Sequence, residues 1–219
     1  MQRTEWDNIW EKKTLGQQIV SVGREVYNSI FRKFLKRYIN QETDLVELGF
    51  GSASFGLSLT PLVKTYVGID RSSQAVTRAK QEAARRKINN ALFLEYDLAE
   101  IPDHLKNQFD VVWSQGLVEY CPSYHSAIQA HYELAKPGGI VFIGAPYKYS
   151  YLALWRWVTY VPGLKRFWPW TETSEFLSRK KFKQLGKLFD PNASVSLLLP
   201  FALPGALLGI VVLRMSKPK

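Results

Sequence analysis

Between Asp44 and Gly144, five short apolar runs alternate with segments of helical periodicity, and that alternation leaves few folds open. The runs are DLVELG (44 to 49), TYVGID (65 to 70), ALFLEYD (91 to 97), FDVVWS (109 to 114) and GIVFIG (139 to 144). Helical patterns are expected from about Ala53 to Leu62, from Ser72 to Lys87 with Ser72 or Ser73 as N-cap, near Asp103, and from Ser123 to Ala135. Strands this uniformly apolar are buried on both faces, which calls for a parallel sheet covered by helices on each side. An amphipathic helix from about Arg24 to Tyr38 precedes the first strand, with Val26, Ile30, Phe34 and Tyr38 on one face. A further helix, Ser178 to Phe189, is expected to turn Phe182, Leu185 and Leu188 inward and Lys180, Lys181, Lys183 and Lys187 outward.

The chain closes on 21 residues without a charge, Ala193 to Leu213, about the length of a membrane span. Pro200, Pro204, Gly205 and Gly209 interrupt it, and the two β-rich halves meet at Pro204-Gly205, a turn dipeptide. A β-hairpin is expected there rather than a spanning helix. At 219 residues the chain suits one α/β domain. Its expected divisions are an N-terminal helical arm (1–40), a core (41–146), an aromatic and basic segment with its helix (147–190) and the terminal hairpin (191–219).

Positive charge is unevenly spread. Residues 41–147 hold 9 Lys/Arg against 12 Asp/Glu, whereas residues 148–219 hold 12 against 3 and residues 1–40 hold 8 against 4. An anionic partner or membrane surface would meet the two flanks, unless they are simply solvated basic faces. The single cysteine, Cys121, allows no internal disulfide and supplies no metal-ligand set, as suits a reducing compartment. The opening MQRTEWDNIWEKK has charge and tryptophan where a secretory core would be apolar, so a cytoplasmic protein is expected, with peripheral membrane attachment as a variant.

The chemistry is concentrated in ELGFGSASFG, Glu47 to Gly56, between the first strand and the next helix. A dinucleotide-binding turn would read G-x-G-x-x-G, but Ser54 stands where its third glycine belongs. The observed pattern is instead an acid followed by Gly49, Gly51 and Ala53 at alternate positions, E-x-G-x-G-x-(G/A). This resembles the first motif of the class I S-adenosylmethionine-dependent methyltransferases of the small-molecule type. That cofactor has an ammonium and no phosphate, so its loop needs close backbone approach and a nearby carboxylate rather than an anion nest. At negative φ, alanine in place of the third glycine would cost little and favour the helix that starts there.

Other segments are similar to the same family. Asp70, in VGIDRS, ends the second strand about twenty residues beyond the glycines, where a carboxylate can take both ribose hydroxyls. Asp97, in FLEYDLAE, stands where the family commonly uses an acid for the adenine amino group. FDVVWSQGLVEYCP resembles the fourth motif, at the methyl-transfer end, and KPGGIVFIG the turn and strand after it. The resemblance implies a Rossmann-like, seven-stranded, mostly parallel sheet with a C-terminal antiparallel hairpin and helices on both faces. It implies S-adenosylmethionine as cofactor, held by Glu47, Gly49, Gly51, Ala53, Asp70, Arg71, Asp97, Leu98, Ser114 and Gln115. Each also has a plainer reading: a glycine pair is often only a tight turn, and a strand-end aspartate only a helix cap.

Methyl transfer from a sulfonium is an in-line displacement that alignment alone can accelerate greatly. If a base is used, Glu119 and His125 are the nearest candidates past the fourth strand; a helix-start charge and a surface histidine are the alternatives. His104 and His131 have no special placement in sequence. Base and amide methylation usually carries Asn/Asp-Pro-Pro-aromatic where this chain has Ser114-Gln115-Gly116-Leu117, and Cys121 precedes Pro122 instead of following a proline. Nucleic acid is therefore disfavoured, and a small apolar, aromatic or lipid-linked acceptor is expected. RNA methylation and an inactive cofactor-binding regulatory role are the alternatives.

Residues 147–170 hold nine aromatics with Lys148, Arg156, Lys165 and Arg166 among them. They read as a lid over the acceptor, as a lid that also touches a membrane interface, or as a stacking platform for single-stranded bases. Trp6 and Trp10 are similar to an aromatic arm found in many small-molecule methyltransferases, which closes over the cofactor.

Overall fold

The structure, a computed structural model, describes residues 28–150, 153, 176–198 and 209–219. Seven strands form one sheet: β1 (Asp44–Leu48), β2 (Thr65–Asp70), β3 (Ala91–Glu95), β4 (Phe109–Gln115), β5 (Ala135–Pro146), β6 (Ser194–Leu198) and β7 (Ile210–Ser216). They lie in the order β3-β2-β1-β4-β5-β7-β6. The first five are parallel; β7 runs antiparallel between β5 and β6. The hairpin expectation for the uncharged C-terminal stretch is thus met by its two strands, while Pro204-Gly205 lies outside the described residues. Among the described residues no helix is long and apolar enough to cross a membrane.

The helices are α1 (residues 28–35), α2 (Ser54–Leu57), α3 (Ser73–Arg85), α4 (Tyr124–Leu134) and α5 (Arg179–Gly186). Serine starts three of them: Ser72, Ser123 and Ser178 each accept a backbone N–H from the first turn, satisfying a donor the helix leaves unpaired. The expected helix from Ala53 to Leu62 is instead the short α2 followed by a 3-10 turn at Thr60–Leu62, because Pro61 has no N–H to continue the ladder.

Side chains alternate across the sheet into two apolar layers. Leu45, Tyr66, Phe93, Trp113 and Phe142 pack under α1 and α3; Val46, Leu48, Val112, Ile143 and Leu213 pack under α4 and α5. On α1 the fully buried residues are Phe31 and Leu35, with Ile30 and Phe34 only partly covered. The helix is therefore rotated by one residue from the expected face, so that Phe31 meets Trp113 at 5.0 Å between ring centroids. Burying Phe31 and Leu35 contributes about 1.5–3 kcal/mol each. On α5, Phe182 is inward as expected, but Leu188 is 64 % exposed: the helix ends at Gly186 and the following turn swings Leu188 out.

Candidate active site

Parallel strands deliver their loops to one edge of the sheet, and the predicted residues of β1, β2 and β4 meet there. Gly49, Gly51 and Ala53 have φ of 67°, 52° and 55°. Left-handed residues at every second position curl the backbone so that a ligand can come close to it. Ala53 does not have the negative φ at which alanine would cost little: it is held in the left-handed region, φ 55° and ψ 0°, with its methyl buried. The loop is pinned by Gly49 N–H to Ile69 O (2.7 Å) and by Gly51 N–H to Asp70 Oδ2 (2.9 Å). Asp70 also accepts Ser72 N–H at Oδ1, and desolvation raises its pKa against those bonds.

Glu47 lies on the Trp113 face of β1, between Gly68 and Trp113 in register, and is only 6 % exposed. Its Oε2 accepts the Tyr66 hydroxyl at 2.6 Å. Burial pushes its pKa up to about 7; the Tyr66 bond opposes this, and the Asp70 charge adds to it. Among the described residues no cation acts on Glu47. Gly56 makes this packing possible, since a Cβ there would overlap Tyr66 Oη and come 2.5 Å from Glu47 Oε2. Neither Tyr66 nor Gly56 stands out in the sequence: Tyr66 reads as an ordinary core position, and Gly56 is visible only as the last of the three glycines in the stretch.

Asp97 caps a 3-10 turn through Ala99 N–H and pairs with Arg71 at 3.5 Å, with Leu98 partly buried beside it. The plainer role of a cap is thus filled, and the other carboxylate oxygen faces Arg71. Ser114 is fully buried and turned to the opposite face, where its hydroxyl lies 2.7 Å from His131 Nε2. His131 Nδ1 is 2.6 Å from Ala127 O, an acceptor, so the proton is on Nδ1 and Ser114 donates to Nε2. Burial holds His131 down to about 4. This buried pair, absent from any sequence pattern, anchors the end of β4. Gln115, the last residue of β4, stays partly exposed at the loop edge.

Glu119 and His125 separate. Glu119 is 2 % exposed, its Oε2 has no hydrogen-bond partner among the described residues, and desolvation pushes its pKa up to about 8. Beside it the Cys121 thiol is pushed up to about 12 by burial and by the Glu119 and Asp97 charges, so it is no nucleophile near neutral pH. His125 is exposed in the first turn of α4, its ring 5.1 Å from Phe189. Leu117 closes the gap between the two loops, lying where a Cβ on Gly49 would collide with it. Trp6, Trp10 and nearly all of residues 151–170 lie outside the described residues.

The arrangement fits S-adenosylmethionine. Among the described residues Glu47 is a buried acid without a counter-ion, beside a backbone that permits close approach, and Asp70 is a second carboxylate hydrogen-bonded to that turn.

Residues 46–143 match the family described as Methyltransferase domain. The ubiquinone biosynthesis O-methyltransferase of Glaesserella parasuis is 28 % identical over 119 residues, covering 48 % of this chain and 49 % of its own. An uncharacterized RNA methyltransferase of Caldanaerobacter subterraneus is 30 % identical over 95 residues, 43 % of this chain and 21 % of its own. The chain thus spans about half the length, or less, of these curated relatives. In fold it is similar to the magnesium protoporphyrin IX methyltransferase of Synechocystis, solved with bound SAH, with a TM-score of 0.68 at 15 % identity over 97 % of this chain and 92 % of the other. Residues 46–143, with their alternating glycine turn, thus carry a Methyltransferase domain match, and the seven-stranded sheet that holds them has the fold of the class I S-adenosylmethionine-dependent methyltransferases.

Proposed function

We propose that the protein transfers a methyl group from S-adenosylmethionine to a small apolar, aromatic or lipid-linked acceptor, with a hydroxyl oxygen as the accepting atom. The observation that carries the cofactor half is Glu47, a buried carboxylate that lacks a cation among the described residues. Glu47 would hold the ammonium, Asp70 the ribose hydroxyls, Asp97 the adenine edge, and Gly49, Gly51 and Ala53 the backbone wall; Arg71, Leu98 and Gln115 complete the surround, while Ser114, expected there too, is turned away to His131. When bound, the cofactor supplies an electrophilic methyl on a sulfonium.

Glu119 takes the acceptor's proton in this reading. It is buried in the loop after β4, has a free oxygen among the described residues, and has a pKa suited to a base working near neutrality. His125, exposed on Phe189, is the weaker candidate. An apolar acceptor is supported by the aromatic stretch that starts at Tyr147, where the rings of Tyr147 and Tyr149 meet at 5.4 Å. Likeness to a ubiquinone O-methyltransferase supports the same class, and likeness to an RNA methyltransferase keeps RNA as the second reading. Calorimetric titration with S-adenosylmethionine tests the first half: no heat at millimolar ligand ends it. Tritiated methyl transfer into a cell extract, followed by partition into lipid, small-molecule, protein and RNA fractions, tests the second. Label in RNA alone would overturn the acceptor class.

A further inference from the structure

We propose that the exposed face of α5 is the surface by which this protein lies on an anionic lipid bilayer. Arg179, Lys180, Lys181, Lys183 and Lys187 are all exposed on this helix and its C-terminal turn. Phe182 and Gly186 form the inward face, and Gly186 lets the helix settle so close to β7 that a Cβ there would come 2.5 Å from Leu213 Cδ1. No acidic residue lies between Phe176 and Phe189. The next one, Asp190, is buried and spent on the backbone N–H groups of Asn192 and Ser216. Arg179 donates to Val195 O, whereas Lys180, Lys183 and Lys187 have no ion pair among the described residues.

Two exposed apolar side chains bracket the cations. Leu188 is 64 % exposed at one end of the helix, although its spacing had suggested an inward position. Tyr149, 62 % exposed, lies near the other end, because Tyr147 bridges to Leu177 and Lys148 N–H donates to Leu177 O just before the helix starts. The structure thus joins the start of the aromatic, basic stretch to the lysine helix, two features about 30 residues apart in the chain.

A row of lysines flanked by an aliphatic and a tyrosyl side chain suits a bilayer surface. Lysine stems lie along the interface while their heads reach phosphates, and the apolar flanks enter the headgroup zone. A nucleic-acid strand would want a groove lined by stacking rings, whereas the outward side of a helix is convex. The same surface would bring the C-terminal edge of the sheet near a lipid-linked acceptor. In that respect it deepens the proposed function, but its evidence is α5 itself.

The test uses the full-length protein and vesicles of phosphatidylcholine, alone or with phosphatidylglycerol as a minority component. Wild-type protein is expected to sediment with the anionic vesicles at low salt, to be released as salt screens the charges, and to ignore the neutral vesicles. Substituting Lys180→Gln, Lys183→Gln and Lys187→Gln together should weaken anionic-vesicle binding roughly a hundredfold, about fivefold per charge. A control pair at α1 and the turn after it, Lys33→Gln and Lys36→Gln, should leave it unchanged. Calorimetric affinity for S-adenosylmethionine, measured on each variant, reports the cofactor site separately and should not move with the α5 changes. Failure of the wild type to bind anionic vesicles, equal binding to neutral ones, or an unaffected triple variant would each overturn the proposal. So would loss of single-stranded RNA binding in the triple variant without any vesicle binding, which would assign the face to nucleic acid.

Discussion

Glu47→Gln should make the ligand-free protein more stable at alkaline pH while abolishing cofactor binding. Glu47 titrates near 4.5 in the unfolded chain and near 7 in the folded one, because burial disfavours its charge. The folded state therefore holds a proton that the unfolded state releases between those two values. Stability from this group is fully present below about pH 4.5 and is lost as pH rises through 7. Two and a half pH units at 1.36 kcal/mol each make that loss about 3 kcal/mol. Glutamine resembles the protonated acid and still accepts from Tyr66, so the variant avoids the loss. The difference in unfolding free energy, variant minus wild type, should grow by about 3 kcal/mol from pH 4.5 to 8. Glu119 and His131 also titrate in or near that range, but they are common to both proteins and cancel in the difference. Urea unfolding followed by tryptophan fluorescence at several pH values gives the curve. Saturating S-adenosylmethionine should stabilise the wild type, whose Glu47 then meets an ammonium, and leave the variant unmoved. A variant-minus-wild-type difference that is flat with pH, or that favours the wild type increasingly as pH rises, would refute the burial argument.

Four further outcomes follow from the same geometry. Glu119→Gln should lower kcat about 100-fold or more and remove the rise of kcat/KM through about pH 8, read from pH–rate profiles once an acceptor is in hand. Ala53→Gly should stabilise the fold by up to about 1 kcal/mol in denaturant titration, because glycine relieves the left-handed φ at the expense of some chain entropy and one methyl contact. Gly56→Ala should destabilise by about 3 kcal/mol and weaken cofactor binding in calorimetry, since the new methyl displaces Tyr66 and Glu47 together. His131→Gln should make the fold less acid-sensitive. The histidine's depressed pKa contributes about 3 kcal/mol above pH 6.5 that is lost as pH falls through 4, a loss the variant escapes in acid unfolding curves.

Much of the site was legible in order and spacing. Glu47, Gly49, Gly51 and Asp70 could be picked out because a strand, a turn and a second strand must follow one another locally to make this loop. Asp97 was legible by position, but its cap and its pairing with Arg71 were not. Ala53 shows the limit of the motif: its letter suggests a tolerant helix start, whereas its backbone sign depends on how the whole turn closes on Ile69 and Asp70. His125 and His131 show another. Both lie on α4, but one faces Phe189 and solvent while the other is sealed against Ser114, an outcome set by the rotation of the helix on the sheet.

By itself the sequence determined the α/β alternation, the parallel core, the closing hairpin and the glycine turn. These follow from hydrophobic period, chain connectivity and backbone freedom, all of which act between near neighbours. Only the tertiary structure decided which acid is buried without a cation among the described residues, that the turn after α5 exposes Leu188 beside the lysines, and that Lys148 meets Leu177. Those facts depend on which distant surfaces come into contact, because desolvation and side-chain pairing are properties of the assembled layers rather than of any short run of residues.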